Sequence, residues 1–279
     1  MAPPDSLATS AQARTVDEVL YAADGPIATI TLNAPQRMNT ISRPMLDALS
    51  AALVRGGDDP DVRVLILTGA GDRAFCAGLN LEAQKSGTDS IGLGQGFMRT
   101  TIDLRNTPPT VLHQLDKPVI CALNGSAAGY GLDIALGADI RIMTHSAKLA
   151  ASYARRGVLP ESGGTWYLPR LLGWSKAAEL IFTGRTLSAD ESLALGLVSR
   201  IVEDGGALAA ARLMAAEIAA NAPLAIQAAK RMMRMAWNEP FTEHVHHVFL
   251  QLLPLFGTED MKEGIAAFME KRPPRFQGR

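Results

Sequence analysis

Between residues 118 and 138 the chain runs without pause from a short β-branched apolar segment, through a turn made of small residues, into a helix too apolar to lie on a surface. The apolar segment is Pro118-Val119-Ile120-Cys121-Ala122-Leu123, and Leu132, Ile134, Ala135, Leu136 and Ala138 supply the apolar helix. Between them stands Asn124-Gly125-Ser126-Ala127-Ala128-Gly129-Tyr130-Gly131-Leu132-Asp133. A strand, a glycine turn and a buried helix together make a candidate anion site. Glycines let the backbone approach a ligand closely, and the first N–H groups of a helix have no partner inside it. Such a turn serves nucleotide binding, stabilisation of an oxyanion, or tight packing alone.

Composition narrows these options. The chain has 279 residues with 47% hydrophobic and 20% charged side chains, enough for one large core, or a core with a small appended region. A net charge of −1 and the absence of a basic face argue against nucleic acid. No run of about 18 apolar residues reads as a membrane span. Two cysteines, Cys76 and Cys121, without CxxC spacing fit a reducing compartment and do not suggest zinc. Residues 1–14, rich in Pro, Ala, Ser and Thr, read as a disordered tail with no apolar leader core, so a cytoplasmic setting is expected.

Strand and helix units come first and helices last. Val19 to Tyr21 and Ile27 to Leu32 flank a turn at Ala23-Asp24-Gly25-Pro26 and predict a hairpin. Ser42 as N-cap and Pro44 in the first turn open a helix that Gly56-Gly57 ends. Val62 to Thr68 and Ile140 to Thr144 read as further strands. The Gly/Ser/Thr-rich segment 85–109, with a short helix at 96–105, reads as a candidate lid. From about Ser175 the pattern is helical: Lys176 to Phe182, Ser188 to Leu195, Gly206 to Asn221, Pro223 to Trp237 and a last stretch from Thr242 to Met269.

A second glycine loop, Asp72-Arg73-Ala74-Phe75-Cys76-Ala77-Gly78-Leu79-Asn80-Leu81, also follows a strand. One N–H from each loop would make a two-point hole for a carbonyl oxygen that becomes negative during reaction. A solvent-exposed turn is the plainer reading of this loop taken alone.

At this point the residues resemble a known family. Ala74 to Leu81, Lys117 to Gly125, Leu159-Pro160-Glu161-Ser162-Gly163-Gly164-Thr165, Thr183-Gly184-Arg185 and Ala194-Leu195-Gly196-Leu197-Val198 follow the order and spacing of the enoyl-CoA hydratase/isomerase (crotonase) superfamily over roughly residues 16 to 276. The resemblance implies an α/β fold, a crotonase-like spiral of repeated ββα units over 15–205. It also implies a C-terminal helical trimerisation region over 206–279, a homotrimer or dimer of trimers, and an acyl-CoA thioester as substrate. No separate cofactor is implied, since coenzyme A is part of that substrate, and no metal.

Carried over by position, the oxyanion donors fall on the backbone N–H groups of Leu79 and Tyr130, the latter at a position where many relatives have a small residue. Ala77, with Gly78 beside it, matches the position whose carbonyl meets the CoA adenine. Phe268 and Lys271 match C-terminal residues that often reach a neighbouring subunit's CoA, or else simply end an amphipathic helix. Family hydratases carry two glutamates, and this chain departs at both positions. Asp133 replaces the first with a reach shorter by about 1.5 Å, one C–C bond. Tyr153 replaces the second, with a pKa near 10 that suits a hydrogen-bond donor better than a base.

A further acid, Glu161, stands where double-bond-shifting relatives have an aspartate base. One carboxylate suffices to take a proton from C2 of a 3-enoyl-CoA and return one to C4. Both Asp133 and Glu161 also have the plain alternative of stabilising a helix start. Enoyl isomerisation leads, followed by hydration of 2-trans-enoyl-CoA through Asp133 and Glu161, and then thioester binding without turnover. His244, His246 and His247 read as a helix face rather than a metal site, and Arg155-Arg156 as solvated or bordering the CoA phosphates.

Overall fold

The computed structural model describes residues 17–80 and 107–279. The N-terminal tail and, up to residue 106, the candidate lid at 85–109 lie outside them.

Two sheets form the core, and the chain visits them in alternation. The larger has the order β1 (Val19–Asp24), β2 (Ile27–Leu32), β3 (Val64–Gly69), β5 (Val119–Leu123), β7 (Ile140–Thr144) and β10 (Arg200–Val202). The smaller runs β4 (Ala74–Cys76), β6 (Ser126–Ala128), β8 (Leu149–Ala150) and β9 (Thr186–Leu187). Each of β3, β5 and β7 is therefore followed by a short strand in the second sheet before a helix is reached, which is the expected ββα spiral. The opening hairpin is antiparallel, with Asp24 opposite Ile27 across Gly25-Pro26, and every other pairing in the large sheet is parallel. Parallel pairing requires a crossover at each step, and the intervening short strand and helix supply it.

The helices follow from what each must cover. Strands β3 and β5 are buried along their full length, as the continuous apolar runs of a sheet with both faces covered should be. On one face lie α1 (Arg43–Asp58), α2 (Pro108–Gln114) and α3 (Tyr130–Gly137), whose residues join the main cluster of the core. On the other, α7 (Ala207–Ala219) lays Ala207, Ala211, Ala215 and Ala219 on Val64, Ile66, Ile120 and Ile142. The alanines recur every fourth residue, so the helix packs by a smooth stripe that lets it sit close to the sheet. All eight residues of α3 are buried, which accounts for its unbroken apolar sequence. Its carboxyl end is closed by buried Arg141, whose guanidinium donates to the carbonyls of Ala135, Ala138 and Leu197.

The helical half starts earlier than Ser175, with α4 (Gly164–Leu172), and continues through α5 (Trp174–Thr183), α6 (Ala189–Ala194), α7 and α8 (Pro223–Ala236). The last stretch is two helices, α9 (Phe241–Leu255) and α10 (Glu259–Glu270). Pro254 and Gly257 disfavour continuation, and Thr258 restarts the chain by accepting the Met261 N–H at 3.1 Å. Short strands β4 and β6 were read from the sequence only as glycine loops; three residues are too few to show a period of two.

Two asparagines hold the connection from β3 to β4 that leads into the second glycine loop. Asn39, fully buried at φ +53°, donates to the Ala70 and Ala74 carbonyls at 3.0 and 2.9 Å and accepts the Ala34 N–H at 2.9 Å. Asn124 accepts the Gly69 N–H at 2.9 Å and donates to the Gly71 carbonyl at 2.8 Å. An Asn39→Ala variant would take this partner from the Ala34 N–H and the Ala70 carbonyl, leave the Ala74 carbonyl with the Asn124 amide at 3.3 Å, and force alanine into a left-handed conformation. We expect a loss of about 2–4 kcal/mol of stability in denaturant unfolding; a loss under about 0.5 kcal/mol would show that water replaces the side chain.

Candidate active site

The first donor comes from the segment after β4. The Gly78 carbonyl accepts the Ile41 N–H at 2.8 Å, and the Asn80 N–H donates back to the Ile41 carbonyl at 3.0 Å. Because alternate residues of an extended segment face opposite sides, the Leu79 N–H between them points away from this bridge. Among the described residues it has no main-chain acceptor.

The second donor comes from the start of α3. Gly129 has φ +52° and ψ −123°, a conformation open to glycine and strained for any side chain. The Tyr130 N–H that follows is the first of the helix and lacks an acceptor within it. The two segments lie side by side, since a Cβ on Gly78 would stand 3.0 Å from the Ala128 oxygen and 3.7 Å from the Tyr130 nitrogen. Gly131 seals the approach, because a Cβ there would run into Cys76 at the end of β4. Two free N–H groups on neighbouring segments can hold one carbonyl oxygen.

Behind Tyr130, Asp133 is fully buried, and its carboxyl group points away from its own helix. One oxygen, Oδ2, accepts the Ser162 N–H at 3.1 Å, and the Gly164 N–H also bonds to this carboxyl. Asp133 thereby caps α4, a helix other than the one it stands on. The other oxygen, Oδ1, is hydrogen-bonded to the Tyr153 hydroxyl, which also lies 2.9 Å from the Gly129 carbonyl oxygen. Burial pushes the Asp133 carboxyl up to about 7, against the lowering effect of its hydrogen bonds, and the nearby Glu161 charge adds to the rise. Burial likewise raises the Tyr153 and Tyr130 hydroxyls well above their ordinary values. The Tyr130 ring is 7% exposed, and its hydroxyl bonds to the Ser162 side chain.

Glu161 stands in the turn between buried Pro160 and Ser162, with its own side chain at the surface. Partial desolvation in that turn raises its carboxyl above the ordinary glutamate value, which makes it a better proton acceptor than a free glutamate. The fold thus brings Leu79, Tyr130, Asp133, Tyr153 and Glu161 into one neighbourhood from four places in the sequence. Ala77 lies half-buried beside Gly78 and donates to the Met38 carbonyl at 3.1 Å. Phe268 and Lys271 do not join this group within one chain: they stand exposed at the end of α10, Phe268 at 81%. Arg155 and Arg156 are exposed and donate to the Thr183 and Ser152 carbonyls. On α9, His244 and His247 both face Glu239, at 3.3 and 3.0 Å. Ser162 was not singled out in the sequence as a site residue; its position next to Glu161 was the available signal.

A family model described as enoyl-CoA hydratase/isomerase matches residues 22–279. The (E)-benzylidenesuccinyl-CoA hydratase of Thauera aromatica is 37% identical over 90% of this chain and 96% of that protein. The carnitinyl-CoA dehydratase of Salmonella typhi is 36% identical over 92% and 97%. Among solved structures, an enoyl-CoA hydratase from Bacillus anthracis superposes with a TM-score of 0.86 at 33% identity, covering 94% of this chain and all of that one. The enoyl-CoA hydratase EchA1 from Mycobacterium marinum does so with 0.84 at 34%, covering 95% and 100%.

The raised Asp133 carboxyl makes stability depend on pH with a definite sign. The folded chain keeps this proton up to about pH 7, whereas the unfolded chain releases it near pH 4. Stability from this group therefore falls as pH rises from about 4 to about 7 and is level above that. Asp133→Asn, which cannot ionise, should gain on the wild type across that window by about 4 kcal/mol. Denaturant unfolding of both at pH 5, 6, 7 and 8 measures it; parallel curves would mean that Asp133 has an ordinary carboxyl.

Proposed function

The chain belongs to the enoyl-CoA hydratase/isomerase family, and on that footing we propose that it shifts the double bond of an enoyl-CoA thioester with Glu161 as the single working carboxylate. The observation behind this reading is the burial of Asp133. An acid with no exposed surface that caps α4 is poorly placed to touch substrate, so the pair of carboxylates that family hydratases use is reduced to one. Isomerisation needs only one: Glu161 removes a proton from C2 of a 3-enoyl-CoA, the electron pair moves into the thioester carbonyl, and the proton returns at C4 as the double bond settles between C2 and C3. The Leu79 and Tyr130 N–H groups hold the oxygen while it carries negative charge. Donors fixed in advance cost no reorganisation at that moment, and loss of one such donor typically lowers kcat about 10²- to 10³-fold.

A second reading, hydration of a 2-trans-enoyl-CoA, is favoured by the relatives, which are described as a hydratase and a dehydratase. In that case Glu161 would activate the water that adds at C3, and the Asp133 proton would serve C2 through some rearrangement of the cap. Purified protein offered 3-enoyl-CoA and 2-trans-enoyl-CoA separates the two, by conjugated-enoyl absorbance in the first and 3-hydroxyacyl-CoA in the second. We expect conjugation without hydration. Glu161→Gln should lower kcat about 10²- to 10⁴-fold with little change in KM. Full activity in that variant, or hydration alone in the wild type, would overturn the assignment.

We also propose that the functional unit is a homotrimer or a dimer of trimers. Helix α9 has no buried residue in one chain and exposes Phe249, Leu250 and Leu253, with Phe256 just beyond its end, while α10 exposes Phe268 and Met269. An apolar face of that extent is normally covered by another surface, here a second copy. It would also give Phe268 and Lys271 a neighbour's CoA to reach. Light scattering should return three or six times the 29.7 kDa of one chain, and Leu250→Glu should shift it towards the monomer; a monomeric wild type would end this proposal.

A further inference from the structure

The peptide group between Gly129 and Tyr130 has two ends. Its N–H is the oxyanion donor of the reading above. Its carbonyl oxygen, Gly129 O, lies 2.9 Å from the Tyr153 hydroxyl. A hydrogen bond accepted by a carbonyl draws charge through the amide and makes the N–H of the same peptide a stronger donor, with an effect of roughly 10–30% per bond. Tyr153 therefore bears on the donor without approaching the substrate. Its side chain is buried, 3% exposed.

A tyrosine hydroxyl has one proton, and Tyr153 has two acceptors within reach, Gly129 O and Asp133 Oδ1. When Asp133 is ionised, the hydroxyl donates to the carboxylate, the stronger acceptor, and Gly129 O keeps only the Asp133 N–H, at 3.1 Å. When Asp133 is protonated, it can donate to the Tyr153 oxygen, and the tyrosine proton is directed at Gly129 O. All three groups are then satisfied in a single relay. Meanwhile Oδ2 keeps the Ser162 N–H in either state, and the Gly164 N–H stays bonded to the same carboxyl.

We propose that Tyr153 is a positioning residue that strengthens the oxyanion hole through the Gly129 carbonyl, and that the proton on Asp133 decides whether it does so. The proposal rests on the assignment of the Tyr130 N–H as an oxyanion donor. The position at which family hydratases carry their second glutamate thus holds a group that acts on the hole rather than on water. The other ionisable groups facing this pair are Glu161, from the turn before α4, and the Tyr130 hydroxyl, from the start of α3, with Cys76 of β4 behind it.

The probe is 4-dimethylaminocinnamoyl-CoA, whose donor–acceptor chromophore moves to longer wavelength when its thioester oxygen is polarised. Bound to wild-type protein it should show that red shift, and Tyr153→Phe should reduce it. On the true substrate the same variant should lower kcat about two- to eightfold, that is 10–30% of a full oxyanion donor on a logarithmic scale, with KM within about twofold. A lowered melting temperature with the red shift intact would reduce Tyr153 to packing and overturn the proposal. The red shift of the wild type should decline between pH 6 and pH 8, whereas that of Asp133→Asn, whose amide can donate to Tyr153 at every pH, should stay level. Measuring both in the Glu161→Gln background removes the titration of that carboxyl. Equal decline in the two proteins would overturn the role of the Asp133 proton. No red shift at all in the wild type would instead refute the oxyanion hole itself, and this proposal with it.

Discussion

A carboxyl group sealed from water must find its donors inside the protein, and those Asp133 finds belong to two segments that follow it in the chain. It takes N–H groups from the turn that opens α4 and shares a hydrogen with Tyr153, which follows β8. Since Asp133 itself stands in the first turn of α3, this one group ties together the helix that offers the Tyr130 amide, the strand-end tyrosine behind it and the turn that presents Glu161. Without the carboxyl, the Ser162 and Gly164 N–H groups would be stranded, each costing about 1–3 kcal/mol. The geometry of the candidate site depends on that junction more than on any apolar contact.

The two amides are placed by different means. Leu79 is aimed by the alternation of a short bridge to Ile41, whose register rests on the Asn39 and Asn124 clamps around the preceding turn. Tyr130 is aimed by Gly129, whose backbone conformation turns the chain from β6 into α3. The side chains at the two donor positions are free to vary, since only backbone is used. That is consistent with a tyrosine at position 130, which here fills space against Ser162 and closes the site from behind.

Much of the architecture was legible in the residues. The hairpin at Gly25-Pro26, the capped helix from Ser42, the continuous apolar runs of β3 and β5 and the wholly apolar α3 each follow from local periodicity, whereas the ββα spiral was implied only by the family resemblance. The division of Thr242 to Met269 into two helices was missed because the apolar spacing continues through Gly257-Thr258. The strands β4 and β6 were missed because strands of three residues owe their existence to pairing with each other and not to propensity. Phe268 and Lys271 were named by resemblance, yet one chain leaves them on an exposed helix end, where only a second subunit could give them a site.

Residue types and their order were enough to determine the family, the two glycine loops and the acids from which a site could be built, because backbone donors need glycine turns and proton transfer needs carboxyl groups wherever they fall. Which acid could work was decided by the tertiary structure. Asp133 and Glu161 are both carboxylates near helix starts and look alike in sequence. Folding buries the first against three donors and raises it to about 7, and leaves the second at the surface of its turn. Desolvation and hydrogen bonding are properties of the assembled surroundings, contributed by residues 20 to 31 positions away, and no local pattern around Asp133 encodes them.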